Sequence, residues 1–438
     1  MDTKKEGVSR RTFMAAMGAA SAALGAASLL KSGRAYAAGS DKIRVGLIGL
    51  GGRGIGAGIS DCAESSKGVE LVAIGDLFAD RVEMAPQAIK SSFERRKLPV
   101  DEIYKVTPET TFVGWDAYKK VIDSDVDMVI LTTPPFFRPI HFQYAVEKGK
   151  NVFVEKPIAT DPANVRKFME LADQAKAKNL VVVAGTQMRR ARQIMEAVQR
   201  IGDGQIGDVV AAQCVRCGDG MMGWGPKVDP AWSEMEAQLR RWLFMTWLSG
   251  DFVVEQHVHN LDLVNWVMGG PPSQCLATGG REVRDAPEYG NIWDHFAAEL
   301  EYPNGALVGY MGAQIDGVHE RCDQKIVGLK GVCYFDFGSA NIKGQNPWKY
   351  ESESYDPAVR EYADMIDAIR NNKPLNEGRQ VAESTLTAIM IRMSAYTGRA
   401  MKFDWVMNSS KLDLSPANLE LGPCPLEPVA APGKTPLV

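Results

Sequence analysis

Gly49-Leu50-Gly51-Gly52-Arg53-Gly54 lies between a short apolar run, Lys42 to Ile48, and a predicted helix, Ile55 to Cys62. A second apolar run, Val69 to Ile74, follows and leads to Asp76, which is 22 residues after the glycine loop. Strand, glycine loop, helix, strand and acid occur here in the order of a dinucleotide-binding βαβ unit. This part of the chain is therefore predicted to adopt a Rossmann-type fold.

Each glycine of the loop has a physical role in such a unit. Gly49 allows the tight turn, Gly51 lets the backbone approach a pyrophosphate, and Gly54 permits close packing of the helix on the strand. Asp76 is expected to accept hydrogen bonds from the adenosine ribose, and its charge would repel a 2′-phosphate. The sequence therefore predicts NAD as the cofactor and disfavours NADP.

Apolar runs continue to alternate with helical segments. Asp125 to Thr132 is a predicted strand that ends at Thr133-Pro134-Pro135, and a helix from Pro139 to Lys148 leads to the strand Asn151 to Val154. The residues after that strand are Glu155-Lys156-Pro157. Strand ends of an open parallel sheet line the ligand crevice, so we expect these residues to face the cofactor. The predicted cofactor-binding residues are Gly49, Gly51, Gly52, Arg53, Gly54, Asp76, Thr133, Pro134, Glu155 and Lys156.

With the glycine loop, the Glu155-Lys156-Pro157 element, the segment Gly185 to Arg190 and the segment Ala395 to Arg399, the chain resembles the Gfo/Idh/MocA oxidoreductases over most of residues 41–405. The resemblance implies an α/β fold, with an N-terminal Rossmann doubly wound parallel sheet and a C-terminal α/β domain that has an open, mainly antiparallel sheet. It also implies a small-molecule carbohydrate substrate such as a sugar or inositol, NAD or NADP as cofactor, and a homo-oligomer, either a dimer or a tetramer.

Members of that family carry an Asp-x-x-x-His-x-x-Asp element, to which Glu255, His259 and Asp262 correspond here. The resemblance places the catalytic imidazole at His259. Glu255 stands where aspartate is usual, and His257 stands where a small residue is common. These two departures leave the substrate and the reaction type open.

Hydride removal from a secondary alcohol needs a base for the hydroxyl proton, and an ordinary imidazole pKa near ~6.5 suits His259 to that role. Lys156 is expected to donate to the reacting oxygen, and Glu255 to orient His259 or a sugar hydroxyl. The alternative for each is a structural histidine or a solvated lysine. The predicted catalytic residues are Lys156, His259 and Glu255, and the predicted substrate residues are Arg189, Arg190, His257 and Asp262. The two arginines either contact substrate hydroxyls or cap the domain junction.

Glu255, His257 and His259 alternate along the chain. An extended backbone would place all three on one face, where they could hold zinc. Proton transfer and orientation explain the same residues without a metal, and no metal is predicted.

The second half of the chain is dominated by predicted strands. These are Gln274 to Val283, His295 to Tyr302, Ala306 to Gln314 and Lys325 to Phe337, with turn signals at Pro303-Asn304-Gly305 and Lys330-Gly331. Tyr355 to Asn371 and Glu377 to Thr397 are predicted helices. The predicted domains are residues 38–157 for NAD binding and 158–405 for substrate binding and oligomerisation. The Pro-rich tail, 406–438, either wraps a neighbour or remains mobile.

The first 37 residues resemble a twin-arginine export signal. Ser9-Arg10-Arg11-Thr12-Phe13-Met14 precedes a weakly apolar run from Ala15 to Leu30, and Ala35-Tyr36-Ala37 supplies a small-residue cleavage site. The run is too short and too rich in Ala and Gly for a stable membrane anchor. We therefore predict recognition by the twin-arginine translocase and a periplasmic location. Free nicotinamide cofactor is not expected to be plentiful there, so the cofactor should travel bound.

The charge and cysteine content of the chain limit the kinds of partner and folding environment that can be expected. Removal of residues 1–37 leaves 401 residues and shifts the net charge from −4 to −8, which argues against nucleic acid. The seven cysteines are odd in number and lack framework spacing, as suits a protein that folds in a reducing cytoplasm. Cys214 and Cys217 form a CxxC in a predicted strand, where alternation would place them on opposite faces.

Three functions remain open from the sequence. The leading hypothesis is an exported NAD-dependent oxidoreductase that transfers hydride between a sugar hydroxyl carbon and tightly bound nicotinamide. The second is a redox-neutral, NAD-dependent glycoside hydrolase that oxidises the sugar transiently, eliminates the leaving group, adds water and reduces the sugar again. The third is a non-catalytic carbohydrate-binding protein, against which the presence of both Lys156 and His259 weighs.

Overall fold

The computed structural model describes residues 42–221 and 223–438. The predicted export signal, residues 1–37, lies outside these ranges, and export stays a prediction. None of the helices within them is long and apolar enough to cross a bilayer.

The first domain is built on a six-stranded parallel sheet in the order β3-β2-β1-β4-β5-β6. In this order the strands run outward in both directions from β1 and β4, which opens a crevice at the carboxyl ends of those two strands. The strands are β1 (Ile43–Ile48), β2 (Val69–Asp76), β3 (Thr111–Val113), β4 (Met128–Leu131), β5 (Asn151–Val154) and β6 (Val182–Ala184). The central strands β1, β4 and β5 are almost fully buried, as their apolar sequences require.

Helices connect these strands. They are α1 (Asp61–Ser65), α2 (Ala79–Arg95), α3 (Val100–Ile103), α4 (Ala117–Asp123), α5 (Arg138–Glu147) and α6 (Pro162–Ala177). The helix predicted over residues 55–62 instead opens with π-helical turns, Gly54–Ser60, before α1. There the Ser60 hydroxyl donates to the Ile55 carbonyl at 2.7 Å. The parallel sheet also continues through β6, beyond the boundary predicted at residue 157, because β6 pairs with β5 after α6.

The second domain has a nine-stranded sheet in the order β14-β13-β12-β11-β7-β10-β9-β8-β15. All its neighbours pair antiparallel except β7 and β10, so the predicted fold class is confirmed. Its strands are β7 (Val209–Gly218), β8 (Gln274–Gly280), β9 (His295–Glu301), β10 (Leu307–Gln314), β11 (Arg321–Gly328), β12 (Gly331–Phe335), β13 (Ala340–Gly344), β14 (Trp348–Lys349) and β15 (Met401–Lys402). The strand predicted from Lys325 to Phe337 is a hairpin of β11 and β12, as its Lys330-Gly331 turn signal indicated.

The second domain has helices, several of which pack on one face of this sheet, and two of them carry residues of the predicted catalytic element. They are α7 (Arg192–Gly202), α8 (Glu234–Arg240), α9 (Thr246–Ser249), α10 (Phe252–Glu255), α11 (Val258–Met268), α12 (Pro357–Arg370), α13 (Gly378–Thr397) and α14 (Phe403–Asn408). The opposite face stays exposed around Leu276, Leu307 and Met311. Cys214 in β7 is buried, whereas Cys217 is partly exposed, and neither forms a disulfide.

The Pro-rich tail packs against its own chain. Leu412, Ala430 and Leu437 contact the hydrophobic core, and the Ser410 hydroxyl donates to the Val438 carbonyl at 2.8 Å. The sequence leaves two alternatives for this tail, that it wraps a neighbouring chain or that it is mobile. Burial of apolar side chains on the second domain accounts for the difference.

Candidate active site

The glycine loop lies at the carboxyl end of β1. Gly49 has φ +98°, and a Cβ there would lie 2.8 Å from the Thr133 nitrogen. A Cβ on Gly54 would lie 2.1 Å from the Gly49 oxygen, so neither position accepts a side chain. A Cβ on Gly52 would meet nothing within 4 Å. The loop is therefore tightly packed within the protein and open outward, which fits a site for a pyrophosphate.

Asp76, at the end of β2, braces this loop. Its Oδ2 accepts a hydrogen bond from the Leu50 N–H at 2.7 Å, and its Oδ1 accepts one from the Phe78 N–H at 3.1 Å. A carboxylate has about four acceptor positions. The carboxylate therefore has acceptor capacity beyond these two hydrogen bonds, and its role as the ribose ligand stays a prediction.

A cavity of about 290 Å³ opens from the loop. Gly49, Gly51, Asp76, Thr133 and Pro134 line it, so half of the predicted cofactor-binding set converges there. Six ring-bearing residues that no sequence motif indicated also line it, namely Phe78, Trp115, Tyr118, Phe137, His141 and Trp242. Ligand pockets usually measure roughly 300–1,000 Å³ and are mostly apolar with a few polar groups. This cavity suits the adenosine half of a dinucleotide.

Arg53 and Glu155 link the glycine loop to the end of β5. The Arg53 guanidinium donates to Glu155 Oε1 at 2.7 Å, and Glu155 raises the pKa of that guanidinium. A Cβ on Gly185 would lie 2.7 Å from Glu155 Oε2, so the glycine there lets β6 pack against the carboxylate. The two predicted cofactor residues therefore act by holding the loop against the strand ends.

Lys156 is buried at the mouth of this crevice. Its Nζ donates to the Glu255 carbonyl oxygen at 2.6 Å and to Glu255 Oε1 at 3.1 Å. Burial lowers the pKa of the ammonium, against the opposing effect of Glu255 and Glu155. An ammonium has three protons, so one remains to donate to a substrate oxygen.

His259 lies in the first turn of α11 and is buried. Burial lowers the pKa of its imidazole well below the ordinary 6.5, and the charges of Lys156 and Arg216 add to the effect. The ring is therefore neutral at pH 7 and able to accept a proton. Its Nδ1 has no hydrogen-bond partner within the described residues. The carboxylate of Glu255 bonds to Lys156, so the expectation that it orients His259 is not met.

The predicted substrate residues are mostly engaged within the protein. His257 shares a hydrogen bond with the Tyr310 hydroxyl at 2.6 Å. Arg189 donates to both carboxylate oxygens of Asp262, at 2.8 and 2.9 Å. Arg190 is buried among three carboxylates, those of Glu361, Asp364 and Glu377. For Arg189 and Arg190, these contacts favour the alternative that they cap the domain junction over the alternative that they contact substrate hydroxyls.

The zinc alternative required an extended backbone from Glu255 to His259. Glu255 instead ends α10, His257 precedes α11, and His259 lies within it. Apolar side chains on both helices are buried, and that packing decides the helical conformation. Within the described residues no group of three or more His, Cys, Asp or Glu could hold a metal ion.

Arg138 is a site residue that sequence reasoning missed. Its side chain is buried, and it donates to the Thr133 carbonyl at 2.9 Å and to the Pro157 carbonyl at 2.5 Å. Burial lowers the pKa of its guanidinium to about 10. It ties the loop after β4 to the segment that holds Lys156. Nothing in the local sequence signals a contact with Pro157.

A parallel sheet with a glycine loop, an aspartate at the end of the second strand and a buried strand-end lysine is typical of the dinucleotide-binding class. The model of the oxidoreductase family with an NAD-binding Rossmann fold matches residues 43–186, and that of the GFO/IDH/MocA C-terminal domain matches residues 194–333. The chain belongs to the Gfo/Idh/MocA oxidoreductase family.

Individual relatives are more distant. An uncharacterized oxidoreductase of Streptococcus pneumoniae serotype 4 is 30% identical over 265 residues, 58% of this chain and 66% of the relative. The 2,7-anhydro-N-acetylneuraminate hydratase of Escherichia coli K12 is 27% identical over 183 residues, 42% of this chain and 44% of the relative. This chain thus spans two thirds or less of the length of these curated relatives.

Among solved structures, a levoglucosan dehydrogenase in complex with NADH and levoglucosan superposes with a TM-score of 0.65 at 18% identity. The match covers 83% of this chain and 99% of that one. At this identity the likeness shows a shared fold.

Proposed function

We propose that this protein is an NAD-dependent oxidoreductase that acts on a sugar or a sugar derivative. The observation that carries the proposal is the pairing of Lys156 with the catalytic element beside the dinucleotide cavity. Lys156 donates hydrogen bonds to Glu255, and the positive charge of Lys156 lowers the pKa of His259, which lies four residues after Glu255. Besides a hydride acceptor, oxidation of an alcohol needs a base for the hydroxyl proton, and a donor to the oxygen stabilises the charge that develops there.

Each of these residues has a defined task in that reaction. A dinucleotide held by the glycine loop and Asp76 would supply the hydride acceptor or donor for the alcohol carbon. His259 takes the hydroxyl proton, and the free proton of Lys156 stabilises the charge that develops on the oxygen. Glu255 holds the Lys156 ammonium with its carbonyl and its carboxylate. Arg138 and the Arg53–Glu155 pair keep these groups in register with the glycine loop.

The choice of NAD over NADP is proposed to rest on Asp76. Asp76→Asn keeps an acceptor oxygen for the ribose but removes the charge that repels a 2′-phosphate. We expect the ratio of NAD affinity to NADP affinity to fall by about tenfold or more, since a tenfold change needs only about 1.4 kcal/mol. Titration of both cofactors into apoprotein measures the ratio. Asp116→Asn, which changes another carboxylate lining the cavity, is the control. An unchanged ratio in Asp76→Asn would rule out Asp76 as the discriminating residue.

Redox-neutral cleavage of a glycoside is the second candidate. The relative named as a hydratase favours it, since hydration adds water without net oxidation. In this reaction His259 takes the hydroxyl proton while the hydride on the same carbon leaves for the nicotinamide that the site would hold, and the resulting carbonyl acidifies the neighbouring C–H. A base then removes that proton as the leaving group departs, water adds to the double bond, and the hydride returns to the carbonyl carbon. Sugar released without net reduction of bound cofactor distinguishes this reaction from simple oxidation.

We further propose a homo-oligomer formed through the open sheet face. Leu276, Leu307 and Met311 are about half exposed there, and the register of β8, β9 and β10 places them on one side. These residues share the sheet face with Glu299 and Glu301 of β9, and a face that is apolar with polar neighbours suits a self-complementary contact. Light scattering is expected to give the mass of a dimer or tetramer, and Met311→Glu to shift it toward the monomer. A wild-type protein that is monomeric at micromolar concentration would contradict this proposal.

A further inference from the structure

The cavity lined by Asp76 has one wall that is formed by residues of the second domain and the tail. Leu239 in α8, Trp242 just after it and Leu419 in the tail line the same cavity. All three belong to one apolar cluster with Phe78. Leu419 lies outside both segments matched by the family models, which end at residue 333.

Helix α8 is fixed to the ribose-binding end of the first domain. Arg240 donates two hydrogen bonds to the Asp80 carboxylate, both at 3.0 Å. Its guanidinium also lies 3.9 Å from the centre of the Phe78 ring. Phe78 and Asp80 follow Asp76 closely in the chain. The helix therefore contacts the segment that begins at the predicted ribose ligand.

The tail is in turn fixed to α8, just after Leu419. The Met235 N–H donates to the Gly422 carbonyl at 3.1 Å. The Cys424 N–H donates to Glu234 Oε2 at 2.7 Å, and Gln238 Nε2 donates to the Cys424 carbonyl at 2.5 Å. Three hydrogen bonds over this short stretch hold Leu419 in place at the cavity.

We propose that α8 and Leu419, which is anchored to α8 through Gly422 and Cys424, form a strap over the adenosine end of the dinucleotide site, and that Leu419 is a cofactor-retaining residue. This inference rests on the proposed function, because it requires a dinucleotide in this cavity. Adenosine that fills the cavity contacts Leu239, Trp242 and Leu419, so these contacts have to break before it leaves. The strap thereby sets the rate of cofactor release and keeps the dinucleotide bound between turnovers.

Leu419→Ala tests the strap, with Leu421→Ala as the matched control because Leu421 is 50% exposed and does not line the cavity. The rate at which bound NADH is displaced by excess NAD is followed by nicotinamide fluorescence. Loss of apolar contacts in a pocket changes binding by about tenfold or more, and we expect NADH to leave Leu419→Ala about tenfold faster than wild type. Leu421→Ala should release NADH at the wild-type rate. Arg240→Gln, which breaks the contact with Asp80, should also speed release.

Thermal unfolding of the apoproteins shows whether each variant is folded. If Leu419→Ala does not fold, Arg240→Gln still tests the strap. Wild-type release rates in both Leu419→Ala and Arg240→Gln would overturn the strap and leave the proposed function standing. Equal acceleration in Leu421→Ala would likewise overturn it. Wild-type protein that binds neither NAD nor NADP would overturn the proposed function itself, and the strap with it.

Discussion

Lys156→Met is expected to lower kcat on the sugar substrate by about 10²–10⁴-fold while the protein keeps its dinucleotide. Methionine fills the buried space of the lysine side chain but supplies no proton to the reacting oxygen. The dinucleotide cavity is lined by other residues, so cofactor affinity should change little. Steady-state rates, together with the nucleotide content of denatured protein, measure both effects.

Lys148→Met is the matched control, since Lys148 is exposed and bonded only to surface groups. It should keep the wild-type rate. A Lys156→Met enzyme with wild-type kcat would remove Lys156 from the reaction. A variant that loses both turnover and nucleotide would point to a structural role, through the loss of the hydrogen bonds to Glu255.

His259→Asn should also cost about 10²–10⁴-fold in kcat, because asparagine keeps a polar group in the helix turn but cannot accept the hydroxyl proton. The pH dependence supplies a second readout. The competent imidazole is neutral and its pKa is lowered, so kcat/KM in the wild type should begin to fall only below pH 6.5. That fall should vanish in His259→Asn. Lys156 acts in its protonated form, and its lowered pKa should make activity fall on the alkaline side below its ordinary 10.5.

His295→Asn is the control for this variant, because the His295 side chain is about half exposed and pairs with the buried Asp294, in the second sheet. This variant should keep the wild-type kcat and the fall of kcat/KM at low pH, which is called the acid limb here. An acid limb that persists unchanged in His259→Asn would assign the proton transfer to another group.

The parts of the site that depend on short stretches of chain were predictable. Gly49, Gly54 and Asp76 belong to one βαβ unit, and in the structure Asp76 ends the second strand and bonds to the glycine loop, while their roles toward a cofactor stay predictions. Lys156 follows a buried strand, and the sheet topology alone brings that strand end to the crevice.

The parts that depend on distant partners were not predictable. Arg189 meets Asp262 and Lys156 meets Glu255 across 73 and 99 residues, and no local pattern encodes either pairing. The alternation of Glu255, His257 and His259 suggested a strand, but the apolar residues around them pack as helices. Leu419 reaches the cofactor cavity from a tail without a recognisable motif.

A single-turnover experiment tests the central claim most directly. Protein saturated with NAD is mixed with a panel of sugars, inositols and glycosides, while the absorbance of reduced nicotinamide is recorded and products are identified by mass spectrometry. We expect that at least one sugar reduces the bound cofactor and is recovered as a carbonyl compound that lacks two hydrogens. Reduced cofactor should not form in Lys156→Met or His259→Asn on the same timescale. A glycoside cleaved with no carbonyl product and no net reduction, or a panel that leaves the bound NAD oxidised throughout, would contradict it.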